Sequence, residues 1–547
     1  MTVFPSYKLK NDPMKKIFTL ISASFFTVCL FAGGLVTNTN QSASWVRLPA
    51  RDASTGIDAV YFNPAGLMKL DNGLHLSLSN QTIFQNKEVE NFYKGPGGSF
   101  GLNQSLYKGK VKAPLFPSIY AAYKLDKLAF SIGFNPIGGG GGAVFEKGLP
   151  SFEMTPSDLV PSLATQGATG YRLDPYFEGT SVYFGFQGGI SYKINDFISV
   201  AAGLRYVSAK NTYNGYLRNI EINMPSGWTR ADAIMTGIAG NATAAATSTS
   251  ALVSAGAGSY TLEQAEQATI ITHAQRLQLE GALAAFGSPT TISISQADAV
   301  FKGAAAKYTA TASLLGNQEA DVEQVGSGIT PFLSVNLSPA ENFNIGIKYE
   351  LATKLELQNK TAKDFRTGFT PEGNPVTMFP DGEKNRNDMP AMLSVGIDYG
   401  VTKKLNVSAG GHYYFDKSAD YGRKLNGVHV NNDRIIDKNF FELAAGLEYR
   451  ISDLLLVSGG YLYAKTGVNS DYQSDLTYSL TSSTVGLGGA VNILRNFRVN
   501  LGFGYTFYDT GEKTIDHLFS ATATNIQARE TYFKDTMILA VGVDFSF

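Results

Sequence analysis

Between residues 497 and 507 the chain alternates without a break. Phe497, Val499, Leu501, Phe503, Tyr505 and Phe507 share one face, and Arg498, Asn500, Gly502, Gly504 and Thr506 share the other. The same period of two runs through 441–449, where Phe441, Leu443, Ala445, Leu447 and Tyr449 oppose Glu442, Ala444, Gly446 and Glu448. In 343–351, Phe343, Ile345, Ile347, Tyr349 and Leu351 oppose Asn344, Gly346, Lys348 and Glu350. One face is apolar with aromatics at its ends, and the other is small, polar or charged. That is the pattern of a strand set between lipid and a hydrated lumen. A soluble sandwich alternates too, but nothing there sorts the connections by length.

Here they sort. The pattern predicts fourteen strands: 73–90, 116–124, 128–137, 179–194, 197–212, 326–337, 343–358, 390–401, 404–417, 439–451, 454–466, 480–493, 496–509 and 533–547. Tight turns at Leu125–Lys127, Asn195–Asp196, Ser338–Asn342, Thr402–Lys403, Ser452–Asp453 and Leu494–Arg495 alternate with long connections near 91–115, 138–178, 213–325, 359–389, 418–438, 467–479 and 510–532. The expected fold is all-β, a transmembrane antiparallel barrel spanning 73–547, with short periplasmic turns and long extracellular loops. The longest loop, 213–325, is Ala/Thr/Ser-rich and then takes helical spacing through 261–286, with Leu262, Ala265, Ala268 or Ile270, Ala274 and Leu277 near one face.

Composition narrows the class. Lys and Arg number 45 against 46 Asp and Glu, a net of −1, so no excess of cations is available for nucleic acid. Lys15 and Lys16 precede a stretch from Ile17 to Leu35 without a charge, followed by small residues, which reads as a signal peptide over 1–32. Met14-Lys-Lys is the more economical start, leaving 1–13 as an upstream extension; a membrane anchor is the alternative. Cys29, the one cysteine, falls inside that segment, so the mature chain has neither a disulfide nor a cysteine-based metal site. No other segment is apolar for the ~18 residues of a spanning helix. The expected location is therefore the bacterial outer membrane, crossed many times by strands.

Residues 33–72 lack alternation and precede the first strand, which places them in the lumen as a plug. They include Asp52-Ala-Ser-Thr, Ala59-Val-Tyr-Phe and Asn63-Pro64-Ala65-Gly66-Leu67. With the strand count and a terminal Phe547, this segment resembles the N-terminal hatch of the FadL/TodX family of outer-membrane transporters of hydrophobic compounds. The resemblance implies passive transport, with long-chain fatty acids or aromatic hydrocarbons as ligands, Asn63, Pro64, Ala65 and Gly66 at the hatch, and a third-strand kink opening the wall sideways into the bilayer. Asn135, Pro136, Gly138 and Gly139 are the kink residues in this chain. It also implies a loop groove that captures ligand and a Phe547 read by the barrel assembly machinery. The stretch Trp45-Val-Arg-Leu-Pro-Ala-Arg51 departs from the family, leaving ligand identity open among fatty acid, aromatic hydrocarbon, sterol and haem.

No catalytic constellation is visible. His75, His273, His412, His429 and His517 are scattered, without metal-ligand spacing, and Gly138–Gly142 lacks the Lys-Ser/Thr of a phosphate loop. No cofactor, metal or enzymatic role is expected. Alternation puts Arg205, Lys348, Glu350, Asp398, His412, Glu442, Glu448 and Arg450 on the lumen face, since a cation facing lipid costs ~2–4 kcal/mol at the midplane. Arg205 and Lys348 are candidates to meet a ligand carboxylate. Tyr206-Val-Ser-Ala-Lys210 resembles the family's fifth-strand end, where a basic residue lies near ligand, although alternation turns Lys210 outward unless a bulge intervenes. The expected partners are apolar small molecules, membrane lipid and lipopolysaccharide, for a monomer. A porin for polar solutes and a haem-binding or adhesion barrel are the alternatives.

Overall fold

The computed structural model describes residues 35–95, 100–370, 373–425, 428–519 and 524–547. The expected signal peptide and Cys29 lie outside these residues. The wall consists of β1 (Gly73–Asn91), β2 (Leu106–Lys124), β3 (Leu128–Phe145), β4 (Tyr171–Lys193), β5 (Ile198–Met224), β6 (Gln318–Ala340), β7 (Phe343–Glu350), β8 (Met392–Gly400), β9 (Leu405–Tyr414), β10 (Phe441–Arg450), β11 (Leu455–Lys465), β12 (Ser482–Leu494), β13 (Phe497–Tyr508) and β14 (Thr524–Ser546). Each strand pairs antiparallel with the next. β14 returns to β1 from His75↔Ser546 to Asn91↔Glu530, closing a cylinder of fourteen strands.

Closure removes the sheet edge that lipid could not satisfy. The outward residues are those the alternation picked. Leu78, Ile132, Ile190, Leu333, Leu443, Leu487 and Leu501 are each more than half exposed or close to it, and they form the apolar belt. Aromatic rings mark its two rims. Phe497 stacks on Phe545 at the periplasmic end, and Tyr413 and Tyr349 meet Phe415 at the other. Among the described residues no helix is long and apolar enough to cross a membrane.

Several expected boundaries move. β1 to β6 rise well above the belt, so residues 106–115, 138–145, 171–178, 213–224 and 318–325, read as loop, are strand. Above the lipid the outer face turns polar, and Lys108, Lys110 and Lys112 hide the period of two. The glycine run continues inside β3 rather than ending it. The expected strand 343–358 stops at Glu350 and resumes as Glu356–Lys363.

The long loop carries helices α4 (Ala231–Leu252), α5 (Leu262–Gln267), α6 (His273–Ala285) and α7 (Ile294–Leu315), after the hatch helices α1 (Ala43–Arg47) and α2 (Ala59–Phe62) and a loop helix α3 (Pro150–Ser157). Helical spacing through 261–286 breaks in two because Thr261 and Thr272 each cap a helix with a reciprocal Gln bond. The face shifts accordingly: Leu262, Ala265, Leu279 and Leu283 are buried, while Leu277 points outward.

Candidate functional site

Residues 35–68 lie inside the barrel, and their attachments fall into four groups. The first surrounds Asn63, which is fully buried. Its amide donates to Asn336 Oδ1 (2.8 Å) and Ser54 O (3.2 Å), and its carbonyl accepts from Ser334 Oγ (3.1 Å). Ser191 and Ser199 donate to the carbonyls of Pro64 (2.7 Å) and Ala65 (2.8 Å). Pro64 opens a short 3-10 helix, Pro64–Lys69, where its missing N–H costs nothing. Gly66 is required because a Cβ would run into Ser54 O and the Asn63 amide.

The second group is ionic. Arg205 grips Glu350 with two bonds of 2.7 and 2.8 Å, and Lys348 reaches the same carboxylate at 2.9 Å. Lys348 also donates to Tyr61 O (2.5 Å), and both cations lie over the Tyr61 ring. Both charges, expected to meet a ligand carboxylate, are paired here with Glu350, because two cations left in this dry interior need an anion. β5 pairs without a bulge along this stretch, so Lys210 faces outward and bonds Glu323.

The third group centres on His412, which sequence reading left as one of several lumenal charges. Its Nε2 lies 2.7 Å from Asp52 of the hatch and its Nδ1 lies 2.8 Å from Glu442 of β10. Tyr414 donates to Glu442 (2.9 Å) and Ser394 to Asp52 (2.8 Å). Below it, Arg47 meets Glu448 (2.5 Å), and within the hatch Arg51 grips Asp58 (2.8 Å). Burial opposes charge on Asp58, but the Arg51 guanidinium outweighs it and holds the carboxyl below its usual range. Arg450, expected in the lumen, is exposed at the end of its strand.

The fourth group joins the hatch to a defect in the wall. β2 and β3 pair from Lys124↔Ala129 to Ile119↔Phe134 and then only at Lys110↔Val144. Among the described residues, 111–118 and 135–143 share no ladder pair. β3 also slips against β4 at Pro136/Gly138 and Gly138/Gly141. Prolines stand on both sides of the gap, Pro114 and Pro117 in β2 and Pro136 in β3, and a proline gives the ladder no N–H. Gly139 has φ 81°, a conformation suited to glycine. The freed β3 backbone finds its partners in the hatch tip. Asn38 N donates to Ile137 O (2.8 Å), Asn38 Nδ2 to Gly139 O (2.7 Å) and Gln41 Nε2 to Pro136 O (2.9 Å). Asn135 Nδ2 donates to Gln41 Oε1 (2.7 Å).

Between these anchors the hatch lies directly on a band of lumenal glycines. A Cβ on Gly346, Gly396 or Gly410 would strike Asp52, on Gly446 it would strike Leu48, and on Gly486 it would strike Val46 O. The signal was present in the sequence as glycine on inward positions of consecutive strands.

Beneath the plug, a polar cavity of about 350 Å³ is lined by Arg47, Arg51, Asp58, Asp398, Glu448, Arg498 and Asp544 among others. Above it lie two apolar clusters. Tyr183, Val207, Leu355, Leu357, Met389, Ile435, Ile436 and Phe440 cluster with Tyr61 and Phe62 of the hatch. A second cluster (Phe145, Phe152, Phe177, Tyr213, Phe365 and Phe379) reaches Val111 and Ala143 at the upper rim of the gap.

No protein-family model matches the sequence, and no curated protein matches it. Solved structures do. A Pseudomonas aeruginosa FadL homologue is 13% identical, with a TM-score of 0.56 over 95% of this chain and 100% of that one. Two deletion variants of TodX, described as a monoaromatic hydrocarbon channel, are also 13% identical. Their TM-scores are 0.51 over 93% of this chain and 99% of theirs, and 0.50 over 94% and 100%. At such identity the likeness is one of fold, and it is the FadL/TodX fold that this chain has.

Proposed function

We propose that the protein passes hydrophobic compounds through the outer membrane by diffusion, with the hatch as its gate and the gap between β2 and β3 as its exit into the bilayer. The observation that carries this reading is the bonding of the hatch tip to the stretch of β3 where the wall loses its ladder. A shift of the tip from Ile137 and Gly139 would free both the lumen and the gap. The apolar clusters above the plug give an oily solute somewhere to rest. The charged cavity below gives it a poor route to the periplasm, which favours a sideways exit. Ligand binding would then select the population in which the tip is released. Long-chain fatty acids and aromatic hydrocarbons are both solutes that these apolar clusters suit by their chemistry.

The test is uptake of radiolabelled oleate and toluene by cells that depend on this barrel, with Gly139→Ala as the variant. The wild type should restore uptake. Gly139→Ala, which forces a side chain into a left-handed backbone and against Ser181 O, should lower it at least about fivefold in a folded barrel. Uptake no better than in cells lacking the protein, or a large steady ionic conductance in planar bilayers, would overturn the reading.

A further inference from the structure

We propose that the outer face of β2 is a binding site for a phosphate-bearing glycolipid of the outer leaflet, held by Lys108, Lys110 and Lys112 beside the gap in the wall. The three lysines take alternate positions on one strand, so all three face outward, and all three are exposed. Their Cα atoms span about 13 Å at ~3.3 Å per residue.

Their height is set by register. Lys112 pairs with Phe84, and Phe84 pairs with Met537, an apolar rung at the top of the lipid-facing belt. One rung higher, Lys110 pairs with Asn86, and Asn86 pairs with Asp535. The lysines therefore begin where the lipid tails end. Below them on the same face, Leu115 is 76% exposed and Ile119 is 47% exposed. Across the gap Phe134 packs on Phe184 (5.5 Å) and Phe186 (4.8 Å). Cations stand above an apolar strip, which is the arrangement that an anionic head on acyl chains would match.

The charge balance points to an external partner. Four outward cations on β5 and on the strand Glu356–Lys363 are matched within the wall: Lys210 and Lys360 share Glu323, and Arg218 and Lys363 share Glu319. On β2 only Lys108 has such a partner, Glu88 at 3.2 Å. Glu88, diagonal to Lys110 on β1, is the acid that Lys108 holds, and Asp535, one strand further across Asn86, is taken by the Asn86 amide at 3.1 and 3.2 Å. Among the described residues Lys110 and Lys112 have no ion pair. Two unmatched ammonium groups at the edge of a leaflet suit phosphate, each attracting it by an amount comparable to a basic residue at an anionic surface. Nothing in this depends on what passes through the lumen.

The experiment uses the purified barrel in mild detergent, with bound lipid read by native mass spectrometry. The probes are bis-phosphorylated lipid A and the same lipid after enzymatic dephosphorylation. The wild type should retain the phosphorylated form at least about tenfold better than the dephosphorylated one. K108S/K110S/K112S should lose that preference, whereas K465S, an outward lysine on β11, should keep it. Should the triple variant fail to fold, K110Q/K112Q removes only the unmatched amines and should show the same loss. Equal retention of both lipids by the wild type, or unchanged retention by a folded lysine variant, would overturn the proposal.

Discussion

Substitution of Asn63 by alanine tests how the hatch is held. The change removes bonds to Asn336, Ser54 and Ser334 at 2.8, 3.2 and 3.1 Å, all inside a dry interface. A net contribution of about 1 kcal/mol per bond gives about 2–3 kcal/mol, because Ser334 and Asn336 keep other partners. The loss falls on docking of the hatch rather than on the barrel, whose ladder contains none of these side chains. Opening of the hatch should therefore become about 30- to 150-fold more frequent. The mature chain carries no cysteine if the leader including Cys29 is removed, so Ala59→Cys, on a fully buried hatch residue, supplies a unique reporter. Its labelling by a water-soluble maleimide, in outer membranes where the folded barrel is verified by heat-modifiable migration, measures opening directly. A labelling rate in Asn63→Ala within about twofold of the parent would refute the assignment of this side chain as a latch.

Other outcomes follow from the same geometry. Glu350→Gln leaves Arg205 and Lys348 buried without a carboxylate. The expected cost is about 3–5 kcal/mol, visible as a lower urea midpoint and faster Ala59→Cys labelling. Gly410→Val places a side chain where Asp52 lies and should displace the hatch, raising ion conductance in planar bilayers while the barrel still migrates as folded. At the extracellular mouth, burial and then the charge of Asp475 push Glu530 up to about 8, and burial lifts Asp475 above the usual carboxylate range. An acid whose pKa is raised on ordering stabilises that order fully below its free value of ~4.3 and loses the contribution as pH climbs to its raised value. Amide exchange in 470–480, corrected for intrinsic rates, should thus be slower at pH 5 than at pH 9, and Glu530→Gln should flatten the difference.

The barrel was legible because lipid imposes one rule on every rung: an apolar side chain outward, or an energetic penalty. Where lipid ends the rule ends, which is why 106–115 read as loop although it is strand. α4 and α7 went unread for a related reason. The packed face of α4 is largely alanine, as in Ala239, Ala242 and Ala246, and alanine does not separate a buried face from an exposed one; α7 buries only Ile294, Ala297, Phe301 and Leu315 over 22 residues, too sparse a stripe to read. Within the site, Asn63-Pro64-Ala65 announced itself by its place before the first strand. Its partners did not, because Ser334 and Asn336 look like any small polar residues on a lumen face. The ion pair of Arg205 with Glu350 spans 145 positions and had no local signature. The prolines at 114 and 117 are a readable sign of the wall defect, but the period of two in their strand starts only at 116, so the pattern does not set them opposite Pro136.

The band of glycines at mid-height has a mechanical consequence. A stopper seated among interlocking side chains must be unscrewed, each knob forcing its neighbours to repack. Where Gly346, Gly396, Gly410, Gly446 and Gly486 face the hatch, the neck of the bottle is smooth. On the proposed gating, once the polar clasps let go this cork would slide past bare main chain with little friction, and the clasps rather than the fit would set the speed of opening.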